Sequence, residues 1–135
     1  MTRLRPLVLI AEDFEDAREL YRDYLEFSGF TVEAAANGRE AIEMASRLQP
    51  DIILMDASMP VLDGWQATRE LKSSPQTQHI PVIALTAHAF DDARQQAKVA
   101  GCDGFITKPC LPDDLVEKVR ETLDGAGKRK PRGRL

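Results

Sequence analysis

Five short, largely apolar stretches separated by longer segments of helical periodicity leave this chain few possible folds. The first stretch, Leu7-Val8-Leu9-Ile10-Ala11, has no polar alternation and reads as a strand buried on both faces. Phe14, Ala17, Leu20, Tyr21, Tyr24 and Leu25 then recur at three- and four-residue spacing, a helix that Ser28-Gly29 ends. Thr31 to Ala35 reads as a second strand. Asn37, with Glu40 three residues on, caps a helix whose inner face is Ala41, Ile42, Ala45 and Leu48 and which Pro50 stops. Ile52 to Asp56 is a third strand, apolar until its last residue, and Asp63 with Gln66 opens a helix from Gly64 to about Ser73. Pro81 to Thr86, a helix from about Phe90 to Ala100, and Gly104 to Thr107 follow. Pro112 suits the first position of a last helix, with a stripe of Leu115, Val116, Val119 and Leu123. The pattern is (βα)5: an α/β domain with a doubly wound, five-stranded parallel sheet covered by helices on both sides.

Length and charge narrow the function. The 135 residues suit one domain, assigned to residues 1–124. The remaining residues, 125–135, hold five basic residues and no acid, and are expected to be a disordered tail. Without them the body has 13 basic against 22 acidic residues, a charge of −9, which argues against a nucleic-acid-binding domain. No apolar run is long enough to cross a bilayer, and Leu7–Ala11 is too short for a signal-peptide core, so a cytoplasmic protein is expected. Cys102 and Cys110 lack metal or redox spacing and read as reduced thiols.

The chemistry gathers at one end of the strands. Glu12 and Asp13 follow the first strand, Asp56 ends the third, Thr86 ends the fourth and Lys108 follows the fifth. In an open parallel sheet, ligands bind at this carboxyl edge. Clustered carboxylates repel one another without a cation, and their hard oxygens suit Mg²⁺ or Mn²⁺. Asp56, on a wholly apolar strand, is costly to bury without a partner. It can serve as a nucleophile toward phosphorus, with Lys108 neutralising phosphoryl charge and the Thr86 hydroxyl donating a hydrogen bond.

Glu12-Asp13, the stretch Asp56-Ala-Ser-Met-Pro-Val-Leu-Asp-Gly64, Ala84-Leu-Thr-Ala87 and Lys108-Pro109, in this order, resemble the response-regulator receiver domain of two-component signalling. The resemblance covers residues 7 to about 124. It implies a flavodoxin-like sheet of order 2-1-3-4-5 and Asp56 as phosphoacceptor. It implies Mg²⁺ held by Glu12, Asp13, Asp56 and the main-chain carbonyl of Ser58. It also implies that Thr86 and Phe105 are the switch pair and that the Lys108–Pro109 peptide is cis. The implied donor is a histidine kinase or histidine phosphotransfer protein. The implied output is a protein target on the face of the fourth helix, fifth strand and fifth helix, or onward relay of the phosphoryl group. The protein would be a signalling switch rather than an enzyme, as a monomer or a phosphorylation-dependent dimer.

Three positions depart from the usual pattern: Glu12 replaces the commoner Asp, Phe105 the frequent Tyr, and Leu111 a polar helix cap. His88, two residues after Thr86, is expected either to tune, with Ser58, the water reaching an aspartyl phosphate, or to be a solvated loop residue. His79 reads as a loop residue on the opposite edge, and Trp65 as packing at the start of the third helix. Two other classes fit the residues less well. A flavodoxin-like cofactor protein wants a phosphate-cradling loop where Glu12-Asp13 stand. A metal-dependent phosphatase with an Asp nucleophile wants an acid at Ser58. No Gly-rich Lys-Ser/Thr loop of a nucleotidase is present.

Overall fold

The computed structural model describes residues 5–87 and 91–134, without the side chains of Asp91 and 126–134. Strands β1 (Leu7–Ala11), β2 (Thr31–Ala35), β3 (Ile52–Asp56), β4 (Val82–Thr86) and β5 (Gly104–Thr107) alternate with helices α1 (Glu15–Phe27), α2 (Gly38–Leu48), α3 (Gly64–Ser73), α4 (Asp91–Ala100) and α5 (Pro112–Arg134). The sheet order is β2-β1-β3-β4-β5, with every pairing parallel.

The strict side-chain alternation of a strand splits the core into two layers. Val8, Ile10, Leu54, Ile83 and Leu85 pack on one face against Tyr21 and Leu25 of α1 and Leu115, Val116 and Val119 of α5. Leu9, Ala11, Ile53, Met55 and Val82 pack on the other against Ala41, Met44 and Ala45 of α2 and Ala67 and Leu71 of α3. The central strands are therefore apolar on both faces, and polar residues enter only at their ends.

Local signals set the helix starts. Asn37 Oδ1 accepts the Glu40 N–H at 2.8 Å, and Asp63 Oδ1 accepts the Gln66 N–H at 2.9 Å, as the sequence predicts. Other expectations need correction. β4 starts at Val82 rather than Pro81: proline has no N–H, so only its carbonyl joins the ladder, accepting Ile53 N–H at 2.9 Å. The α1 stripe is narrower than the periodicity suggests, because Phe14 and Leu20 are exposed and only Ala17, Tyr21, Tyr24 and Leu25 reach the core. The described bounds of helix α5 are Pro112–Arg134.

Candidate functional site

The carboxyl ends of β1, β3, β4 and β5 bring Glu12, Asp56, Thr86 and Lys108 together. Glu12 is 1% exposed, Asp56 5% and Thr86 2%, while Asp13 is exposed. Carboxylate oxygens of Glu12, Asp13 and Asp56 all lie within 4.8 Å of one another. Lys108 Nζ donates to Glu12 Oε1 at 2.7 Å and to Asp56 Oδ2 at 3.3 Å. Asp56 Oδ1 accepts the Ser58 N–H at 3.1 Å, which orients the carboxylate. The Lys108 N–H donates to the Thr86 carbonyl at 2.6 Å, and the Lys108–Pro109 peptide is cis.

The loop from Asp56 to Gly64 is clamped by two close backbone approaches. Gly38 N–H donates to the Leu62 carbonyl at 3.1 Å, and a Cβ on Gly38 would stand 2.1 Å from that oxygen. Gly64 N–H donates to the Ala57 carbonyl at 3.0 Å, and a Cβ there would stand 2.1 Å from the Asp56 carbonyl oxygen. Between the clamps, Val61 has φ 71° and sits at the centre of a γ-turn, with Leu62 N–H donating to the Pro60 carbonyl at 2.7 Å. That conformation is strained for a β-branched residue.

The electrostatics follow from burial and pairing. Burial, the hydrogen bond with Glu12 and the Glu12 charge together push the Asp56 carboxyl up to about 7, against the Ser58 N–H and Lys108. Burial would also raise Glu12, but its hydrogen bonds with Asp56, Lys108 and the Phe14 N–H outweigh it, and Glu12 falls below the usual carboxylate range. Burial would lower Lys108, but Glu12 and Asp56 hold it above its ordinary value. Below about pH 7 the free site therefore favours a proton on Asp56 beside a charged Lys108–Glu12 pair. The donor set fits a hard divalent cation: three converging carboxylates beside an exposed backbone turn, with no soft ligand in the cluster.

Several contributing residues escape the sequence motifs. Arg18 Nη1 donates to the Glu12 carbonyl at 2.8 Å and fixes the turn that carries the acidic pair. An Arg one turn into the helix after two acids is the available signal. A cleft of about 660 Å³ opens over Asp56, Ser58, Thr86 and Lys108, walled by Trp65 of α3 and Gln96 of α4. Trp65 thus faces the site as well as opening its helix. Phe105 is half-buried on β5, under the Arg94 guanidinium at 5.0 Å from the ring centroid. Leu111 is exposed ahead of α5, as is His79 ahead of β4, and both cysteines are free thiols. His88 lies outside the described residues. Among the described residues, no helix is long and apolar enough to cross a membrane.

Comparison with known proteins agrees with this geometry. Residues 8–120 match the response regulator receiver domain family. The chain is 37% identical over 119 residues to the polar-differentiation response regulator DivK of Brucella anthropi, covering 88% of this chain and 97% of that protein. Among solved structures, the chemotaxis protein CheY4 of Vibrio cholerae superposes with a TM-score of 0.83 at 29% identity, covering 87% of this chain and 98% of that one. The receiver domain of a Pseudomonas aeruginosa sensor histidine kinase, with magnesium coordinated in its active site cleft, gives 0.83 at 32% identity, covering 89% and 98%. With the strand order, the acidic cluster and the family match in agreement, the chain belongs to the response regulator receiver domain family, the signalling switches of two-component systems.

Proposed function

We propose that Asp56 is the phosphoacceptor of this receiver and that Glu12, Asp13, Asp56 and the Ser58 main-chain carbonyl hold the Mg²⁺ it needs. Mn²⁺ would satisfy the same oxygens. The observation that carries this reading is the convergence of three carboxylates within 4.8 Å, with Lys108 Nζ 3.3 Å from Asp56 Oδ2. A carboxylate oxygen of Asp56 attacks phosphorus, the P–N bond of a phosphohistidine donor breaks, and its electron pair returns to the imidazole. The metal supplies charge neutralisation at the phosphoryl oxygens. Lys108 turns from Glu12 and Asp56 toward the new phosphoryl oxygens, and the Thr86 hydroxyl donates to one of them. The donor is a histidine kinase or histidine phosphotransfer protein. The switch pair Thr86 and Phe105 passes the change to the α4–β5–α5 face, where a protein target binds, or the phosphoryl group passes on in a relay. Ser58, and His88, which lies outside the described residues, are the candidates for tuning how long the aspartyl phosphate lasts.

A purified, ³²P-labelled phosphohistidine protein tests this. Label should move to the native chain with Mg²⁺ and not to Asp56→Asn. Label reaching Asp56→Asn equally well would remove Asp56 from the role.

A further inference from the structure

The switch ring of this chain has no hydroxyl, so the polar anchor that a tyrosine would offer is missing at Phe105. Another group occupies its face. Arg94, in the first turns of α4, places its guanidinium 5.0 Å from the ring centroid, within the range of a cation–π contact. Both residues line a groove of about 530 Å³ between α4 and β5, floored by Ala97, Cys102 and Gly104. The ring is half-buried, and its ladder partner on β4 is the buried Ala84, two residues before Thr86. A small side chain beside the ring leaves it free to be held by whatever touches its outer face.

We propose that Arg94 is a positioning residue for the switch: its guanidinium holds the Phe105 ring in the outward position and so sets how much of the free protein is competent to accept a phosphoryl group. The proposal rests on the receiver reading and names its regulation. A contact between an exposed arginine and one ring face shifts the outward-to-inward ratio by about two- to fivefold. Where the competent state is the minor one, the affinity of any ligand that requires it changes by the same factor. Phosphorylation then releases Arg94 as the ring turns in, so a cation joins the α4–β5 surface only in the active state. Arg94→Lys keeps the charge but loses the planar stacking group and should sit between native and Arg94→Gln.

Two measurements on the full chain test it. By proton NMR of the free protein, the Arg94 side-chain protons should lie upfield through the ring current of Phe105 and return to ordinary positions in Phe105→Leu. Titration with beryllofluoride and Mg²⁺, read by Trp65 fluorescence, should give a midpoint about two- to fivefold lower in Arg94→Gln than in the native chain, with Arg94→Lys between. Ordinary Arg94 shifts in the native chain, or equal midpoints for native and Arg94→Gln, overturn the proposal. If the ring-current shift is present but no variant, nor the native chain, responds to beryllofluoride, the receiver reading is what fails.

Discussion

Lys108 and Glu12, 96 residues apart in sequence, meet as an ion pair with Nζ 2.7 Å from Oε1, a shorter contact than the 3.3 Å from Lys108 to Asp56. Glu12 thereby takes most of the lysine's compensation, and Asp56 keeps a proton up to about pH 7. Mg²⁺ must displace that proton, so its apparent affinity should rise about tenfold per pH unit below 7 and level off above it. Trp65, the only tryptophan, lines the cleft beside Asp56 and gives the fluorescence readout. The metal-free protein should show the linked effect on stability. Folded Asp56 titrates at about 7 against an ordinary value of 3.8, so the folded state binds more protons between them. This contribution is complete below 3.8 and is lost as pH rises through about 7. Urea denaturation at pH 5.5 and 8, with and without Mg²⁺, checks the sign.

Gly38→Ala should damage the metal site without touching a ligand. Its new methyl carbon would stand 2.1 Å from the Leu62 carbonyl oxygen, and the carbonyl belongs to the loop that carries Ser58. Forcing that loop away should cost about 1–3 kcal/mol and weaken Mg²⁺ binding. Gly29→Ala, at φ +104° with nothing within 4 Å and far from the site, should also destabilise but leave Mg²⁺ affinity unchanged. Equal Mg²⁺ affinity in Gly38→Ala and the native chain would deny the clamp its role.

Val61→Gly should stabilise the protein by about 1 kcal/mol, because glycine reaches positive φ without the steric cost a β-branched residue bears, which outweighs its greater chain entropy. Little burial is lost, since Val61 is 78% exposed. Thermal denaturation should rise by about 2–6 °C. A fall would mean that the γ-turn at Val61 is not strained.

Removing residues 125–135 should leave stability within about 0.5 kcal/mol. Among the described side chains of α5, Val119 is the last buried one, Leu123 packs at the core's margin, and a Cβ on Gly125 would meet nothing within 4 Å. If the basic tail docks on an acidic partner or nucleic acid, binding should weaken on deletion, most strongly at low salt. Chemical denaturation and a binding titration at two salt concentrations separate these effects.

What could be read from the sequence follows the range of the forces involved. The strands, the Asn37 and Asp63 caps and the strand-end acids are local patterns, and they stand where they are expected except that β4 begins one residue later, at Val82. Arg18 on the Glu12 carbonyl, Gly38 against Leu62 and Arg94 over Phe105 depend on which helix face meets which loop, and periodicity cannot name those partners. Phe14 and Leu20 fit the helical spacing but lie outside the buried stripe, because spacing fixes the period and not the width of the face. Phe105 was legible as a position, while the cation above it was not.

The most direct test of the account is the intact mass of the full chain after incubation with acetyl phosphate and Mg²⁺, beside a metal-free control and Asp56→Asn. The account predicts a single phosphoryl addition that is absent from both controls. An addition that persists in Asp56→Asn, or no addition from either acetyl phosphate or a purified phosphohistidine donor, would contradict it.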